Sequence, residues 1–150
     1  MDMITLRRFT EKDAPWIQRR FYPDMQEEAL LDMIRDWNRG TYNGKAFEMF
    51  AILEDQQTAG MISLYQLSES IASLGPEVVP EKRNRGIAFQ AMKLMMEEAR
   101  IKGYGILSQQ VRTDNTASRK LHEKLGFETD SYVYRNKHGH EILIYLKAIK

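Results

Sequence analysis

The chain has 150 residues, a formal net charge of +1, 43% hydrophobic residues and 29% charged residues. This length and composition predict one domain spanning residues 1–150, and the near-neutral charge favours neither a nucleic-acid partner nor a membrane-binding surface. Because the sequence has no cysteine, disulfides, thiolate metal sites and a cysteine nucleophile are excluded.

Targeting and metal signals are also weak. No run approaches the length of a transmembrane helix, and the opening Met1-Asp2-Met3 is not typical of a signal peptide. A cytoplasmic location is therefore expected. The three histidines are too few and too poorly spaced to predict a zinc site, so no metal is expected.

Apolar periodicity and turn residues divide the chain into helices and strands. Their order, β-α-α-β-β-β-α-β-α-β-β, predicts an α+β fold with a mixed, mostly antiparallel sheet and flanking helices. The long helix in the middle of the chain predicts a right-handed crossover between two parallel strands. The predicted strands are Met3–Phe9, Phe47–Glu54, Thr58–Leu67, Ile71–Val79, Ile106–Val111, Tyr132–Arg135 and Glu141–Ile149, and the predicted helices are Glu11–Arg20, Met25–Arg39, Arg85–Lys102 and Thr116–Leu125.

Pro76 lies inside the strand predicted at Ile71–Val79. Proline cannot donate a hydrogen bond to a neighbouring strand, so it belongs at a sheet edge or at a bulge. The pair Gly75-Pro76 therefore predicts either a β-bulge or a local kink.

The stretch Val78–Ala88 joins that strand to the long helix, and its charge has an unusual sign. Lys82, Arg83 and Arg85 lie at the start of the predicted helix, where the partial positive charge of the helix N-terminus normally favours acidic side chains. Without a bound anion these cations would repel one another, whereas a phosphate would be bound by backbone donors, helix dipole and side chains together. Gly86 lets the backbone approach a ligand closely. The charge pattern leaves two interpretations open, a pyrophosphate site and a solvated basic loop.

Two spacings carry a resemblance to a known family. The spacing Arg83-x-x-Gly86-x-Ala88 resembles the Arg/Gln-x-x-Gly-x-Gly/Ala signature of the GNAT superfamily of acyl-CoA-dependent N-acyltransferases. The run Asn115-x-x-Ser118-x-x-x-His122-x-Lys124-x-Gly126-Phe127 resembles the family's Asn-x-x-Ala/Ser-x-x-x-Tyr-x-Lys-x-Gly-Phe run. The resemblance extends from about residue 3 to the end of the chain.

The resemblance implies that acetyl-CoA binds as the acyl-donor cosubstrate, without a metal. Asn115 is expected to bond an amide of the pantetheine arm, and its alternative is an ordinary N-cap. Motifs of rival nucleotide or hydrolase folds are absent from the sequence: there is no P-loop, no dinucleotide fingerprint and no Gly-x-Ser-x-Gly. The expected cofactor-binding residues are Val78, Val79, Arg83, Asn84, Arg85, Gly86, Ile87, Ala88, Asn115 and Ser118.

The catalytic residues are less well defined. His122 stands where the family most often has the tyrosine that protonates the departing CoA thiolate, and histidine can donate a proton near neutral pH. The alternative is a solvated helix residue, and Tyr132 or Tyr134 would then be donors or core aromatics. Glu77, beside the predicted bulge, is the candidate general base, and Glu69, at the start of the strand, is the other nearby carboxylate. The family often places a glutamate in this region or uses a water chain.

The expected function is N-acetyl transfer from acetyl-CoA to a primary amine of a small molecule or a peptide N-terminus. The amine would attack the thioester directly, with bulge amides polarising its carbonyl. The alternatives are a catalytically weak acyl-CoA-binding or sensing module and a mixed-sheet domain without a cofactor. Members of the family are often dimers, so a homodimer is compatible with the resemblance.

Overall fold

The computed structural model describes residues 3–150, and across that range the chain forms eight strands and four α-helices. Short 3-10 turns precede the first and third helices. The strands are β1 (Ile4–Arg8), β2 (Thr41–Tyr42), β3 (Lys45–Glu54), β4 (Gln57–Gln66), β5 (Ile71–Val78), β6 (Ile106–Arg112), β7 (Tyr134–Arg135) and β8 (Glu141–Ala148), and the helices are α1 (Ala14–Arg20), α2 (Glu27–Arg39), α3 (Ile87–Ile101) and α4 (Thr116–Lys124).

The strands form one sheet in the order β1-β3-β4-β5-β6-β8-β7, with β2 paired to the start of β3. Every neighbouring pair is antiparallel except β5 and β6, which α3 connects. This arrangement confirms the predicted α+β fold with a mixed, mostly antiparallel sheet.

Helices cover both faces of the sheet. On one face Met92 of α3 packs with Leu74 and Leu107 in a core that continues toward α4. On the opposite face Ile34 of α2 packs with Met61 of β4. Side chains alternate between the two faces of a strand, so the neighbouring residues Met61 and Ile62 of β4 contact different cores.

The β-bulge predicted at Gly75-Pro76 is wrong. The register between β4 and β5 is unbroken from Gly60 opposite Val78 to Gln66 opposite Ala72. Backbone N–H and C=O groups of alternate residues point to the same side of a strand. Since the Leu74 groups bond toward β6, the nitrogen of Pro76 also points that way. At that level no strand of residues 3–150 is paired with β5 on that side, so the missing N–H costs no ladder hydrogen bond.

Most element boundaries lie within one or two residues of the predictions, and the short strand β2 was not predicted. The long helix begins at Ile87 and not at Arg85, because Gly86 has a left-handed backbone and acts as its N-cap. The strand predicted from Tyr132 begins at Tyr134, and Tyr132 is 71% exposed, so it is not a core residue. Within residues 3–150, none of the helices has both the length and the apolar character that crossing a bilayer requires.

Candidate active site

A cavity of about 640 Å³ opens between β5 and β6, with walls from the start of α3 and from α4. It exists because backbone pairing joins the two strands only at Ile71–Ile106 and Ala72–Leu107, after which they diverge. Val79 and Arg85 do not line the cavity. The predicted cofactor-binding residues that do line it are Val78, Arg83, Asn84, Gly86, Ile87, Ala88, Asn115 and Ser118.

The turn between β5 and α3 has the backbone of an anion site. Asn84 (φ +62°) and Gly86 (φ +80°) both adopt the left-handed conformation, which turns successive N–H groups toward a common side. No atom lies within 4 Å of the position that a Cβ would take at Gly86. The first N–H groups of α3 have no partner within the helix, and the helix dipole adds a partial positive charge there. The turn can therefore bind a phosphate with backbone donors.

A buried carboxylate neutralises part of the charge of this turn. Glu54, at the end of β3, is 5% exposed; Lys82 Nζ lies 2.9 Å from its Oε1 and Arg85 Nη2 lies 2.6 Å from its Oε2. The expectation that these cations repel one another without a bound anion is therefore wrong. Arg83 is also held in place, because its Nε donates to the Val78 carbonyl at 2.9 Å.

The facing wall of the cavity carries two further cations that were not among the predicted site residues. Lys120 and Lys124 lie one turn apart on α4 and both line the cavity. The ammonium of Lys124 lies 4.5 Å from the ring centroid of Phe89 on α3, a cation–π contact that joins the two helices. Their spacing of four residues on a helix was the signal that could have identified them.

Asn115 caps α4 and also faces the cavity. Its Oδ1 accepts a hydrogen bond from the Ser118 N–H at 3.0 Å, which is the N-cap interaction. The oxygen is thereby used for the helix, and the amide Nδ2 is the group that a ligand can meet. The two interpretations of Asn115 given by the sequence are thus compatible with each other.

His122 lies on α4, is 3% exposed and also lines the cavity. Its Nδ1 is 2.7 Å from the Ser118 carbonyl oxygen, which can only accept, so Nδ1 carries the proton. Its Nε2 is 3.2 Å from Nε2 of Gln109 and accepts from that amide. Burial lowers the pKa of His122 below its ordinary value, partly offset by the hydrogen bond to Ser118. The imidazole is therefore neutral, with both nitrogens engaged.

Gln109 of β6 is the residue of this site that sequence reasoning missed most completely. It is 3% exposed, and its carboxamide reaches across the gap between the strands. Oε1 accepts from the Leu74 N–H at 2.7 Å, and Nε2 donates to the Leu74 carbonyl at 2.7 Å. A polar residue at a core-facing position of a strand was the only signal in the sequence.

Glu77 lies away from the cavity. It is opposite Met61 in the β4–β5 register, so its side chain belongs to the sheet face covered by α1 and α2. There it lies near Tyr22, whose pKa is raised by burial and, to a smaller extent, by the charge of Glu77. Tyr132 and Tyr134 line a separate surface groove with Ile144 and Leu146.

A shallow groove of about 330 Å³ lies on this second face of the sheet. Leu74 and Gly75 line both this groove and the cavity on the other side, so the two meet at the split between β5 and β6. Phe47 and Tyr65 contribute aromatic rings to the walls of the groove, and their ring centroids lie 6.1 Å apart in an edge-on contact. The remaining lining residues are Tyr42, Ser63 and Ser73.

Among residues 3–150 no group of three or more His, Asp or Glu side chains is arranged to hold a metal ion.

The fold and the split sheet define the class of protein, and comparison with known proteins agrees. A family model described as an acetyltransferase (GNAT) domain matches residues 3–128. The chain therefore belongs to the GNAT acetyltransferase domain family, a family of acetyl-transferring enzymes. No curated protein matches the chain significantly in sequence.

Solved structures share the fold at low sequence identity. A probable acetyltransferase is 22% identical, with a TM-score of 0.83 over 97% of this chain and 92% of that one. The ribosomal L7/L12 alpha-N-protein acetyltransferase RimL, in complex with coenzyme A, is 17% identical, with a TM-score of 0.82 over 97% and 93%. A dodecameric spermidine N-acetyltransferase from Vibrio cholerae is 14% identical, with a TM-score of 0.80 over 97% and 94%.

Proposed function

We propose that this protein transfers an acetyl group from acetyl-CoA to a primary amine of a small molecule or a peptide N-terminus. The observation that carries the proposal is the cleft between β5 and β6, which leads from a cationic helix start at Gly86 to a polar inner end at Gln109. A long, thin donor such as acetyl-CoA fits this cleft, because its phosphates would lie at the cationic helix start and its thioester would lie near the polar inner end.

The chain's own residues would bind the donor at three levels. The N–H groups at the start of α3, with Arg83 and Lys82, would hold the pyrophosphate. Along β5, the N–H of Val78 faces the cleft by strand alternation and is available to an amide of the pantetheine arm. Asn115 would bond the same arm from the opposite wall through its Nδ2.

Acetyl-CoA would supply an activated thioester, and the protein would contribute mainly position and polarity. On β5 the Leu74 N–H is taken by Gln109 and Pro76 has no N–H, so Val78 is the strand's remaining donor toward the cleft. No bulge amides contribute. Direct attack by the amine needs no covalent intermediate on the enzyme.

The acid role of His122 and the base role of Glu77 stay predictions. To donate from Nε2, His122 would need a second proton, which its lowered pKa disfavours, and Gln109 would have to give up its bond. If His122 is the acid, His122→Ala lowers turnover far more than CoA affinity. Equal losses, or unchanged turnover, would remove it from the mechanism. Glu77→Gln provides the same test for the base.

The aromatic groove on the second face is the proposed entry of the acceptor amine, because it meets the donor cavity at Leu74 and Gly75. Among the residues that the structure describes, none of those lining this groove is a carboxylate. Polycations bind best to acidic walls, whereas aromatic walls bind apolar groups. These walls favour an amine attached to an apolar group, such as a peptide N-terminus with an apolar side chain, over a polyamine.

Thiol release from acetyl-CoA across an amine panel tests the function. The panel contains peptides with an apolar first residue, peptides with an acidic first residue, aromatic amines and spermidine. We expect the peptides with an apolar first residue and the aromatic amines to be preferred. Thermal and chemical unfolding with CoA provides the binding test: at about 100 times the dissociation constant CoA should stabilise the protein by about 2.7 kcal/mol. Binding without turnover would favour the weak acyl-CoA-binding module. No stabilisation would contradict the proposal.

A homodimer also stays a prediction. The face of β8 and the segment before β7 expose Tyr132, Val133, Ile144 and Leu146, an apolar surface of the kind that partner subunits cover. Sedimentation of the wild-type protein and of Leu146→Lys would show whether two copies associate through it.

A further inference from the structure

The carboxamide of Gln109 replaces a rung of the sheet with a side chain. Backbone pairing of β5 and β6 ends at Ala72 and Leu107. Two residues further along each strand, the Gln109 side chain makes both hydrogen bonds to Leu74 that a neighbouring strand would otherwise make. The gap between the strands is therefore closed at Leu74 and open from Gly75 toward Val78.

All four hydrogen-bonding positions of this carboxamide are used. Besides its two bonds to Leu74, Oε1 accepts from Ser73 Oγ at 3.1 Å and Nε2 donates to His122 Nε2 at 3.2 Å. Since His122 is in turn fixed by the Ser118 carbonyl, the amide has one orientation and cannot rotate away at low cost. It is a rigid wall.

We infer that Gln109 is the residue that limits the length of the acyl group this enzyme transfers. The inference rests on the proposed function, because it takes the phosphates to lie at Gly86 and the arm to run along β5 from Val78 toward Leu74. The acyl end then points to where the strands converge. Gln109 and Leu74 line that end of the cavity, and beyond them the sheet is closed. An acetyl group would fit in front of the Gln109 carboxamide, whereas a longer acyl chain would clash with it.

A matched set of variants separates the wall from the hydrogen bonds. Gln109→Ala removes the wall, and Gln109→Leu keeps most of its volume without its polar groups. Gln109→Asn shortens the side chain by one methylene and keeps the amide, so it serves if the alanine variant unfolds. Each variant is compared with the wild type for kcat/KM with acetyl-, propionyl- and butyryl-CoA, and for affinity for CoA itself.

The measured quantity is the ratio of kcat/KM for butyryl-CoA to that for acetyl-CoA. We expect Gln109→Ala to raise this ratio about tenfold or more, since a methylene group in a binding pocket changes discrimination by about that factor. Gln109→Asn should raise it less, and Gln109→Leu should leave it near the wild-type value while lowering both rates. A general loss of structure would lower all rates and leave the ratio unchanged.

Two failures are distinguishable. If the wild type binds CoA and the ratio is the same in all variants, the wall assignment is wrong and the proposed function stands. If the wild type does not bind CoA, the proposed function is wrong, and the inference falls with it. Dissociation constants of acetyl-CoA and butyryl-CoA give the same ratio test without turnover, should the amine panel contain no good acceptor.

Discussion

The carboxylate of Glu54 lies 2.9 Å from the ammonium of Lys82 and connects the end of β3 to the turn that precedes α3. Glu54 also pairs with Arg85 at 2.6 Å, so one buried side chain holds two cations of the same turn. The turn that is proposed to bind the phosphates therefore has its shape before any ligand arrives.

Glu54→Gln should destabilise the protein and loosen this turn. Removing one partner of a buried ionic group leaves Lys82 and Arg85 without their carboxylate. We expect the free energy of unfolding to fall by about 2 kcal/mol, below the full cost of a buried pair because Arg85 is half-exposed. Urea unfolding with and without CoA measures this loss, and CoA should restore part of it. Glu97→Gln breaks an exposed pair with Arg100 and should change stability little; equal losses in the two variants would contradict the role of Glu54.

Gly86→Glu should abolish CoA binding and leave the fold largely intact. The carboxylate would occupy the space at the helix start and repel phosphate. The left-handed backbone would add a strain of about 1 kcal/mol. Gly40→Glu is the matched control, since Gly40 has nearly the same φ (+79°) and equally open surroundings at the end of α2. Calorimetric titration with CoA distinguishes the two variants. CoA binding that survives in the Gly86 variant would show that the phosphates bind elsewhere.

Asn115 should have two separable roles. Asn115→Ala loses the cap and the amide donor, so it should cost about 1 kcal/mol of stability and weaken CoA binding. Asn115→Asp keeps an oxygen that caps α4 but has no Nδ2 donor, so stability should be retained while CoA affinity falls. Thermal unfolding and CoA titration of both variants provide the measurement. Full CoA affinity in the aspartate variant would reduce Asn115 to a cap.

The stability of the protein should fall as the pH drops below the ordinary histidine pKa of about 6.5 because of His122. Its pKa is lowered in the native state, so the unfolded chain, with an ordinary pKa of about 6.5, binds a proton more readily. The contribution is complete above the unfolded pKa and is lost as the pH falls below it. His122→Asn should flatten this dependence, whereas the exposed His138→Asn should not. Parallel pH profiles for the wild type and the His122 variant would contradict the prediction.

The sequence predicts well what local pattern and charge determine. Periodicity locates α3 and the strands, and the spacing from Arg83 to Ala88 identifies the turn, because these features depend on neighbours in the chain. Glu54 escapes such reasoning: it is far from the turn in sequence and looks like the last residue of a hairpin strand. Such reasoning also misses Gln109, because its role depends on the divergence of two strands that are distant in sequence. The proline at position 76 pointed to a real irregularity, yet that irregularity is in the pairing with β6 and not in β5 itself.

Because β5 and β6 pair over a short stretch only, the sheet has a gap between these two strands. Apart from the Gln109 bridge, two residue pairs of backbone ladder connect the part built from β1, β3, β4 and β5 to the part built from β6, β8 and β7. An extended molecule lying along Val78 would act as an additional strand and connect the two parts of the sheet. Binding of the substrate would thus make the sheet continuous. Slower amide hydrogen exchange in the strands on both sides of the gap would report this change.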